Sequence, residues 1–410
     1  MISNDDKSVL AEIESFKKEA TEKTNLSDFG DLVFEEPLAA WINDLKNSAI
    51  NEFGRDFLRR LAVRDLCKRL NVIACLTENP EILEVEIPPV IFITGAARTG
   101  STLLHNLMAT HPLSRSLKRW ELMSPVPPPT PETYETDPRI AKLQASMEPL
   151  RGSMLENLHW VNANEPDENT WGFFNCTGLL GRGIAPLLPT WGRWIEDNDL
   201  KPTYRDFRKL IQILLWKCPP PAGGHLLLKC VMTTMRVHDF AEVFPEASMV
   251  ITHRDPFRSL VSSCTVGETI YQPFLQEPPG PLHEDGMRGR STLTTFKLIL
   301  RALLDLAKAE SPRVANVRYA DLMRDAVLTA GTVYQDLGLE PPVDFERRVL
   351  DYLEDQRSGK RAKPPKKLDS FGYSADSVWN DKVVAEYCEF FGLQREQTRL
   401  TDTRSGSEPK

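Results

Sequence analysis

The residues best placed for chemistry lie at positions 95–102, where Gly95-Ala96-Ala97-Arg98-Thr99-Gly100-Ser101-Thr102 follows an apolar strand pattern and leads into a predicted helix. The backbone N–H groups of such a loop converge on one point, where the helix dipole also favours negative charge. The glycine spacing is that of a Walker A loop, yet Ser101 stands where that loop has its lysine, and the positive charge lies earlier, on Arg98. A nucleotide triphosphatase uses that lysine to reach the terminal phosphates. The loop therefore predicts a phosphate site for a donor other than ATP or GTP.

A second cluster, Thr252-His253-Arg254-Asp255-Pro256, directly follows another apolar run, and Ser262 comes about two helical turns later. An arginine at a strand end and a hydroxyl on the next helix can bind one phosphate together, because arginine offers a bidentate fork and serine a neutral donor. The same arginine could instead cap a helix or pair with Asp255. Because the loop 95–102 already predicts one phosphate site, we interpret this cluster as a second anion site.

The 410 residues are 41% hydrophobic and 26% charged, which is typical of a globular protein with one large domain or two ordinary ones. No stretch approaches the roughly 18 apolar residues of a membrane span, and the first residues lack a secretory signal pattern, so we expect a cytoplasmic protein without a membrane span. Seven cysteines without CxxC spacing predict reduced core thiols and no metal site. The net charge of −8 gives no electrostatic reason to bind nucleic acid, and the sequence indicates no oligomeric state.

Four apolar runs predict the strands of one parallel α/β sheet flanked by helices, at 90–94, 226–231, 249–252 and 314–319. Helical spacing of apolar residues in 1–86 predicts a helical N-terminal extension packed on a core domain of residues 87–400. A proline-rich connection leads into a tryptophan-rich, mostly helical insertion at about 130–221, whose size predicts a lid over the substrate. Residues 401–410 are predicted to be a flexible tail.

Further motifs accompany these two clusters, and together they resemble the sulfotransferases that use 3′-phosphoadenosine-5′-phosphosulfate, particularly the bacterial-type enzymes that act on small molecules and lipids. The order and spacing of the motifs carry the resemblance over most of the chain, since each motif alone is weak. In chain order they are the loop 95–102, Arg119-Trp120-Glu121-Leu122, Leu228-Lys229, His253-Arg254-Asp255-Pro256, Arg318-Tyr319-Ala320-Asp321-Leu322 and Leu368-Asp369-Ser370-Phe371-Gly372-Tyr373. The resemblance implies a P-loop-like fold and transfer of a sulfonate group from that nucleotide to a hydroxyl of a small-molecule or lipid acceptor.

The resemblance also implies roles for individual residues. Arg254 and Ser262 would hold the 3′-phosphate of the donor, Tyr319 would lie near its adenosine, and its 5′-phosphosulfate would be held by Arg98, Thr99, Gly100, Ser101 and Thr102. Arg98 and Lys229 suit the leaving phosphate and the sulfonyl oxygens, because fixed donors strengthen as charge builds. Lys229 could instead be a structural residue closing a strand. In-line displacement at sulfur rests on positioning, so we expect no required metal.

The base that takes the proton of the attacking hydroxyl is the least determined role. One branch of relatives has a histidine two residues after the lysine, where this chain has Val231, so the base must come from elsewhere. Our first candidate is Glu121, because several relatives place a glutamate at this distance beyond the loop, at the end of the next strand. The competitor is His159, which Glu168 would orient. Glu121 could equally be a salt-bridged carboxylate and His159 a packed core residue.

Two weaker patterns concern binding. A short basic segment comes late in the chain and comprises Lys360, Arg361, Lys363, Lys366 and Lys367. Such a segment is by default a solvated surface. In relatives, however, a late basic loop often closes over the 3′-phosphate of the donor, and this segment could do the same. The insertion contains Trp160, Trp171, Trp191, Trp194 and Trp216. These side chains could line an apolar pocket for the acceptor, or they could simply belong to the hydrophobic core.

Two other functions stay open at this point. A P-loop kinase or NTPase would bind ATP with magnesium, but the loop lysine is missing. A non-catalytic relative would bind adenosine bisphosphate without turnover, although Arg98, Lys229 and Arg254 are all retained.

Overall fold

The computed structural model describes residues 4–46, 49–148, 162–178, 187–276, 287–310, 312–358 and 371–396. At its centre is a parallel sheet with the strand order β2-β3-β1-β4-β5. The strands are β1 (Val90–Gly95), β2 (Ser114–Ser116), β3 (His225–Lys229), β4 (Ala247–His253) and β5 (Val314–Arg318). The predicted α/β class is confirmed, and all four predicted strands form. The edge strand β2 was not predicted, because two serines and an arginine carry no apolar pattern.

Helices cover both faces of this sheet. In chain order they are α1 (Asn4–Thr24), α2 (Glu35–Leu45), α3 (Glu52–Glu78), α4 (Ser101–Met108), α5 (Arg119–Met123), α6 (Pro138–Met147), α7 (Pro189–Asp197), α8 (Lys201–Leu215), α9 (Val237–Val243), α10 (Pro256–Tyr271), α11 (Met287–Lys308), α12 (Tyr319–Arg324), α13 (Ala326–Asp336), α14 (Phe345–Ser358), α15 (Ala375–Trp379) and α16 (Lys382–Phe390). Short 3-10 helices lie at Pro80–Glu84, Asn169–Gly172, Thr234–Arg236 and Gln272–Phe274. Among the described residues, no helix is both long and apolar enough to cross a membrane.

The two faces of the sheet belong to two different cores. Successive residues of a strand point to opposite faces, and every residue of β1 is buried, as expected when helices cover both sides of a parallel sheet. Val90 and Phe92 join a large core that also contains buried residues of α1, α2 and α3. Ile91 and Ile93 join a smaller core with α4 and α13. The N-terminal helices thus share a core with one face of the central sheet.

The tryptophans of the insertion that the structure describes lie mainly in the core. Trp191 is fully buried and packs edge-on against Trp41 of α2, with ring centroids 5.5 Å apart. Trp171 lies beneath the Arg119 guanidinium at 4.1 Å. Of the remaining predictions, His159, Trp160, the basic residues between 360 and 367, and the tail 401–410 lie outside the described residues.

Candidate active site

The carboxyl ends of four parallel strands bring the predicted site residues to one edge of the sheet. The register pairs Ile93 of β1 with Lys229 of β3, and Gly95 with Thr252 of β4. In open α/β sheets, ligands bind outside this edge of the strands. The loop 95–102, Lys229, Arg254 and Tyr319 therefore converge on one crevice, although 224 residues of sequence separate the first from the last (319 − 95).

The loop 95–102 reaches α4 through backbone conformations that few side chains adopt. Gly95 has a φ of +148°, and a Cβ there would come within 2.6 Å of the Thr252 carbonyl oxygen. Gly100 has a φ of +91°, and a Cβ there would lie 2.9 Å from the Tyr319 ring. Arg98 has a φ of 70°, a left-handed conformation that non-glycine residues seldom take and that clusters at ligand sites. The loop thus delivers the N-terminus of α4, with its preference for anions, to the sheet edge.

Hydroxyl side chains of the loop hold its shape. The Thr99 hydroxyl lies 2.7 Å from the Ala96 carbonyl oxygen and 2.6 Å from the Thr252 hydroxyl. Ser259 of α10 donates to the Ala97 carbonyl oxygen at 2.5 Å. Ser101 is buried and Thr102 is exposed. The side chain of Thr99 is therefore engaged within the protein.

Arg98 of the loop and Arg254, which follows β4, lie close to each other. The Arg98 Nε donates to the Ser262 hydroxyl at 3.1 Å, and the Arg254 Nη1 donates to the Arg98 carbonyl oxygen at 3.2 Å. The Arg254 guanidinium also stacks on the Tyr319 ring, 4.2 Å from its centroid. Burial and, after it, the charge of Arg254 lower the pKa of Arg98. Such neighbouring cations favour the binding of an anion, which offsets their repulsion.

Lys229 ends β3 as a buried cation with a buried partner. It is 1% exposed, and its Nζ donates to the Glu168 Oε1 at 2.7 Å. Glu168 directly precedes the 3-10 helix Asn169–Gly172 and is itself 5% exposed. Its second oxygen, Oε2, is buried and has no hydrogen-bond partner within the part of the chain that the structure describes. A carboxylate oxygen inside a protein is costly to leave unsatisfied, so Oε2 has capacity to accept a further hydrogen bond from water or from a ligand.

His105 of α4 lies in the same electrostatic environment. Burial and the charge of Lys229 lower its pKa to about 3. Its Nε2 is buried, and no residue that the structure describes forms a hydrogen bond with it. The imidazole is therefore neutral at physiological pH and binds a proton too weakly to be an efficient base.

Glu121 has a contrasting environment. It lies within α5, five residues beyond Ser116, the last residue of β2, rather than at the end of that strand, and it is fully buried. Arg115 donates to both of its oxygens, and Oε2 also accepts from the Tyr134 hydroxyl at 2.8 Å and the Lys118 backbone N–H at 2.9 Å. No hydrogen bond between described residues links Glu121 to Lys229 or to the loop. The structure thus places Glu121 in a saturated ion pair, the alternative that the sequence left open.

Two residues of this edge were missed or only partly foreseen. Glu168 was predicted as a partner of His159, and its contact with Lys229 depends on how the insertion folds over β3. Glu396, whose carboxylate forms a bidentate pair with Arg254 at 2.7 and 3.0 Å, carries no signal in the sequence. It is one of many acidic residues near the C-terminus.

Comparison with known proteins identifies the class. The model of the sulfotransferase family matches residues 89–343, more than half of the chain, so the protein belongs to the sulfotransferase family. It is a transferase that passes a sulfonate group to a hydroxyl of a small molecule or lipid, which confirms the resemblance seen in the sequence. The family assignment overrides the kinase and NTPase alternative.

Particular relatives agree with this assignment. The chain is 24% identical over 281 residues to the omega-hydroxy-beta-dihydromenaquinone-9 sulfotransferase Stf3 of Mycobacterium bovis and of Mycobacterium tuberculosis, covering 66% of this chain and 68% of each relative. The crystal structure of sulfotransferase STF9 from Mycobacterium avium superposes with a TM-score of 0.83 at 23% identity, covering 93% of this chain and 97% of that one. Sulfotransferase STF1 from Mycobacterium tuberculosis gives 0.77 at 22% identity, with 91% and 98% covered. These structures share the fold.

Proposed function

We propose that the protein takes its sulfonate group from 3′-phosphoadenosine-5′-phosphosulfate and passes it to the hydroxyl of an amphipathic or lipid alcohol. The main observation that supports this donor is that two cationic positions, Arg98 and Arg254, lie at the same end of the sheet. Arg98 and the loop N–H groups of Thr99, Gly100, Ser101 and Thr102 suit the 5′-phosphosulfate. Arg254 and Ser262 suit the 3′-phosphate. The Tyr319 ring between loop and arginine suits the adenosine.

The fit rests on the chemistry of the donors present. Phosphate and sulfonate oxygens accept hydrogen bonds, and arginine forks, a helix N-terminus and a buried lysine are donors without acceptor capacity. The contact between Gly100 and Tyr319 leaves no room for a side chain at the loop. The residues at the sheet edge therefore suit an anionic nucleotide, and the chemistry that they support is charge stabilisation and positioning.

In the proposed step, the acceptor oxygen attacks sulfur while the bond from sulfur to the phosphate oxygen breaks. Lys229, Arg98 and the loop N–H groups stabilise the charge that develops on the leaving phosphate. The hydroxyl proton passes to Glu168, because its Oε2 has no hydrogen-bond partner among the described residues while Oε1 is held by Lys229. The products are the sulfated acceptor and adenosine 3′,5′-bisphosphate. Glu121 holds α5 in place and takes no proton.

The remaining alternative for the base is His159, which Glu168 would orient. The variants Glu168→Gln, His159→Gln and their combination separate the two roles. If Glu168 acts alone, only its replacement lowers kcat strongly. If it acts through His159, both single replacements lower kcat and the double variant loses little more, because residues that act as a unit are not additive.

The acceptor class draws support from the two Stf3 relatives named above, which are sulfotransferases of an omega-hydroxylated dihydromenaquinone. We infer a hydroxyl at the end of an apolar chain for this protein too. A series of primary alcohols of increasing chain length, assayed with labelled donor, tests the inference. We expect kcat/KM to rise with chain length, and a flat profile would contradict a lipid acceptor.

Calorimetric titration with adenosine 3′,5′-bisphosphate tests the donor. We expect micromolar binding that Arg254→Ala abolishes. Arg318→Ala is the matched control, because Arg318 ends β5 at the same edge yet pairs with Asp321 in solvent. Tight binding of ATP with magnesium and no response to the bisphosphate would contradict the proposed donor.

A further inference from the structure

The cation that the proposed function assigns to the 3′-phosphate already holds an anion from the chain itself. The Arg254 Nε and Nη2 donate to the two oxygens of Glu396 at 2.7 and 3.0 Å. This bidentate geometry is also the one in which arginine binds a phosphate group. Glu396 thus engages the fork that a 3′-phosphate would need.

The position of Glu396 is fixed by its backbone as well as by its side chain. The Glu396 N–H donates to the Asp255 Oδ2 at 2.7 Å, and Asp255 is the N-cap of α10. The other Asp255 oxygen accepts from the Trp379 Nε1 at 3.1 Å, and the Arg395 guanidinium lies over the Trp379 ring. Two adjacent residues, Arg254 and Asp255, therefore bind the side chain and the backbone of the same acid. This double anchorage distinguishes the contact from a chance surface pair.

The contact is also open enough to exchange. The Arg254 side chain is 16% exposed and that of Glu396 32%. Burial alone would lower the pKa of Arg254, and the hydrogen bond and charge of Glu396 reverse that direction, so the acid offsets the cost of burying this cation. A carboxylate carries one negative charge and a phosphate monoester close to two at neutral pH. A 3′-phosphate would therefore offer the Arg254 fork a stronger charge partner than the Glu396 carboxylate does.

We propose that Glu396 is a resident anion of the 3′-phosphate site, which occupies Arg254 in the free enzyme, yields it to the nucleotide and returns as the nucleotide leaves. The proposal rests on the proposed donor. It makes Glu396 a residue that sets donor affinity and selectivity: the acid opposes only ligands with a 3′-phosphate. It also predicts that Glu396 speeds release of the bisphosphate product, because the carboxylate competes for the same fork.

The test compares two nucleotides on three proteins: adenosine 3′,5′-bisphosphate and adenosine 5′-monophosphate on the wild type, Glu396→Gln and Glu389→Gln. Glu389 is an exposed acid of α16, so its replacement removes the same charge elsewhere in the same segment. We expect Glu396→Gln to tighten the bisphosphate about 5- to 20-fold and to slow its dissociation, with the monophosphate unchanged. Glu389→Gln should alter neither ligand, and Glu396→Asp should retain part of the wild-type weakening.

The outcomes separate the two proposals. Equal or weaker bisphosphate binding in Glu396→Gln, or equal tightening of both nucleotides, overturns the role of Glu396. A wild-type protein that binds the bisphosphate no better than the monophosphate overturns the proposed donor site instead. Circular dichroism and the thermal unfolding midpoint of each variant show whether the segment is still folded. If the Glu396→Gln variant is not folded, the two nucleotides are compared on Glu396→Asp instead, where a partial tightening of the bisphosphate is expected.

Discussion

Two buried carboxylates lie in neighbouring parts of this protein, each paired with a cation, and they differ in what remains unsatisfied. Glu121 accepts four hydrogen bonds, from Arg115, Tyr134 and the Lys118 backbone. Among the described residues, Glu168 accepts one bond from Lys229 on one oxygen and none on the other. A saturated pair stabilises the fold, whereas an unsaturated one keeps capacity for a ligand or a proton. Burial and charge alone would not distinguish them.

The strongest way to break this comparison is to remove the charge of Glu168. We expect Glu168→Gln to lower kcat by about 10²- to 10⁴-fold, the usual contribution of a general base. Binding of adenosine 3′,5′-bisphosphate should change little, because the proposed nucleotide contacts lie on the loop and on Arg254. Stopped assays with saturating donor measure the first quantity and calorimetry the second. Wild-type turnover in the variant would return the role of base to another residue.

The cation of the same pair comes next. Lys229→Met should lower kcat by about 10²- to 10³-fold, because a buried donor to the leaving group is lost from the transition state. It should also lower thermal stability, since the Glu168 side chain then loses the one hydrogen-bond partner that it has among the described residues. Lys209→Met is a suitable control: Lys209 pairs with Asp206 at 3.1 Å on a half-exposed helix position away from this edge. Unchanged turnover in Lys229→Met would reduce Lys229 to the strand-closing role.

For the saturated pair we expect a loss of stability with catalysis retained. Glu121→Gln should lower the free energy of unfolding by about 3 kcal/mol, because Arg115 stays buried with a neutral partner. The kcat of the folded enzyme should equal that of the wild type. Urea titration at a temperature where the variant is folded gives the first value, and an active-site-normalised assay gives the second. A normal stability with a large fall in kcat would reverse the assignment of the two glutamates.

Much of this arrangement follows from the sequence, and the reasons for the remainder are physical. The loop, Lys229 and Arg254 were predicted because each lies at the end of a strand that contains an apolar run, a local pattern. Glu121 carried a family pattern but no information about Arg115, whose strand of two serines and an arginine has no periodicity. Glu396 reaches Arg254 across 142 residues, a pairing that no local pattern encodes.

The pH dependence of stability tests the surroundings of the Lys229–Glu168 pair, through the nearby residue His105. Burial and then the charge of Lys229 lower the pKa of His105 to about 3, below its ordinary value of 6.5. The unfolded chain therefore binds a proton between these values that the folded protein does not, and stability falls as pH drops from 6.5 towards 3. The slope from this group is about 1.4 kcal/mol per pH unit. His105→Gln should reduce the acid dependence of the unfolding free energy by about one proton, and an unchanged slope would show that His105 is not buried in neutral form.

The smallest expected effect tests how saturated the Glu121 pair is. The Tyr134 hydroxyl donates to Glu121 at 2.8 Å and accepts from Arg115 at the same distance. Tyr134→Phe removes that hydroxyl but keeps the ring, which lies 4.9 Å from the Arg115 guanidinium. Two hydrogen bonds are lost, but Glu121 and Arg115 still hold each other, so the unfolding free energy should fall by only about 2 kcal/mol, since each hydrogen bond contributes about 1 kcal/mol net. Chemical denaturation measures this change, and kcat should not move. A fall in kcat without a fall in stability would mean that the Glu121 network reaches the reacting atoms. The two buried pairs would then no longer divide into a structural pair and a functional pair.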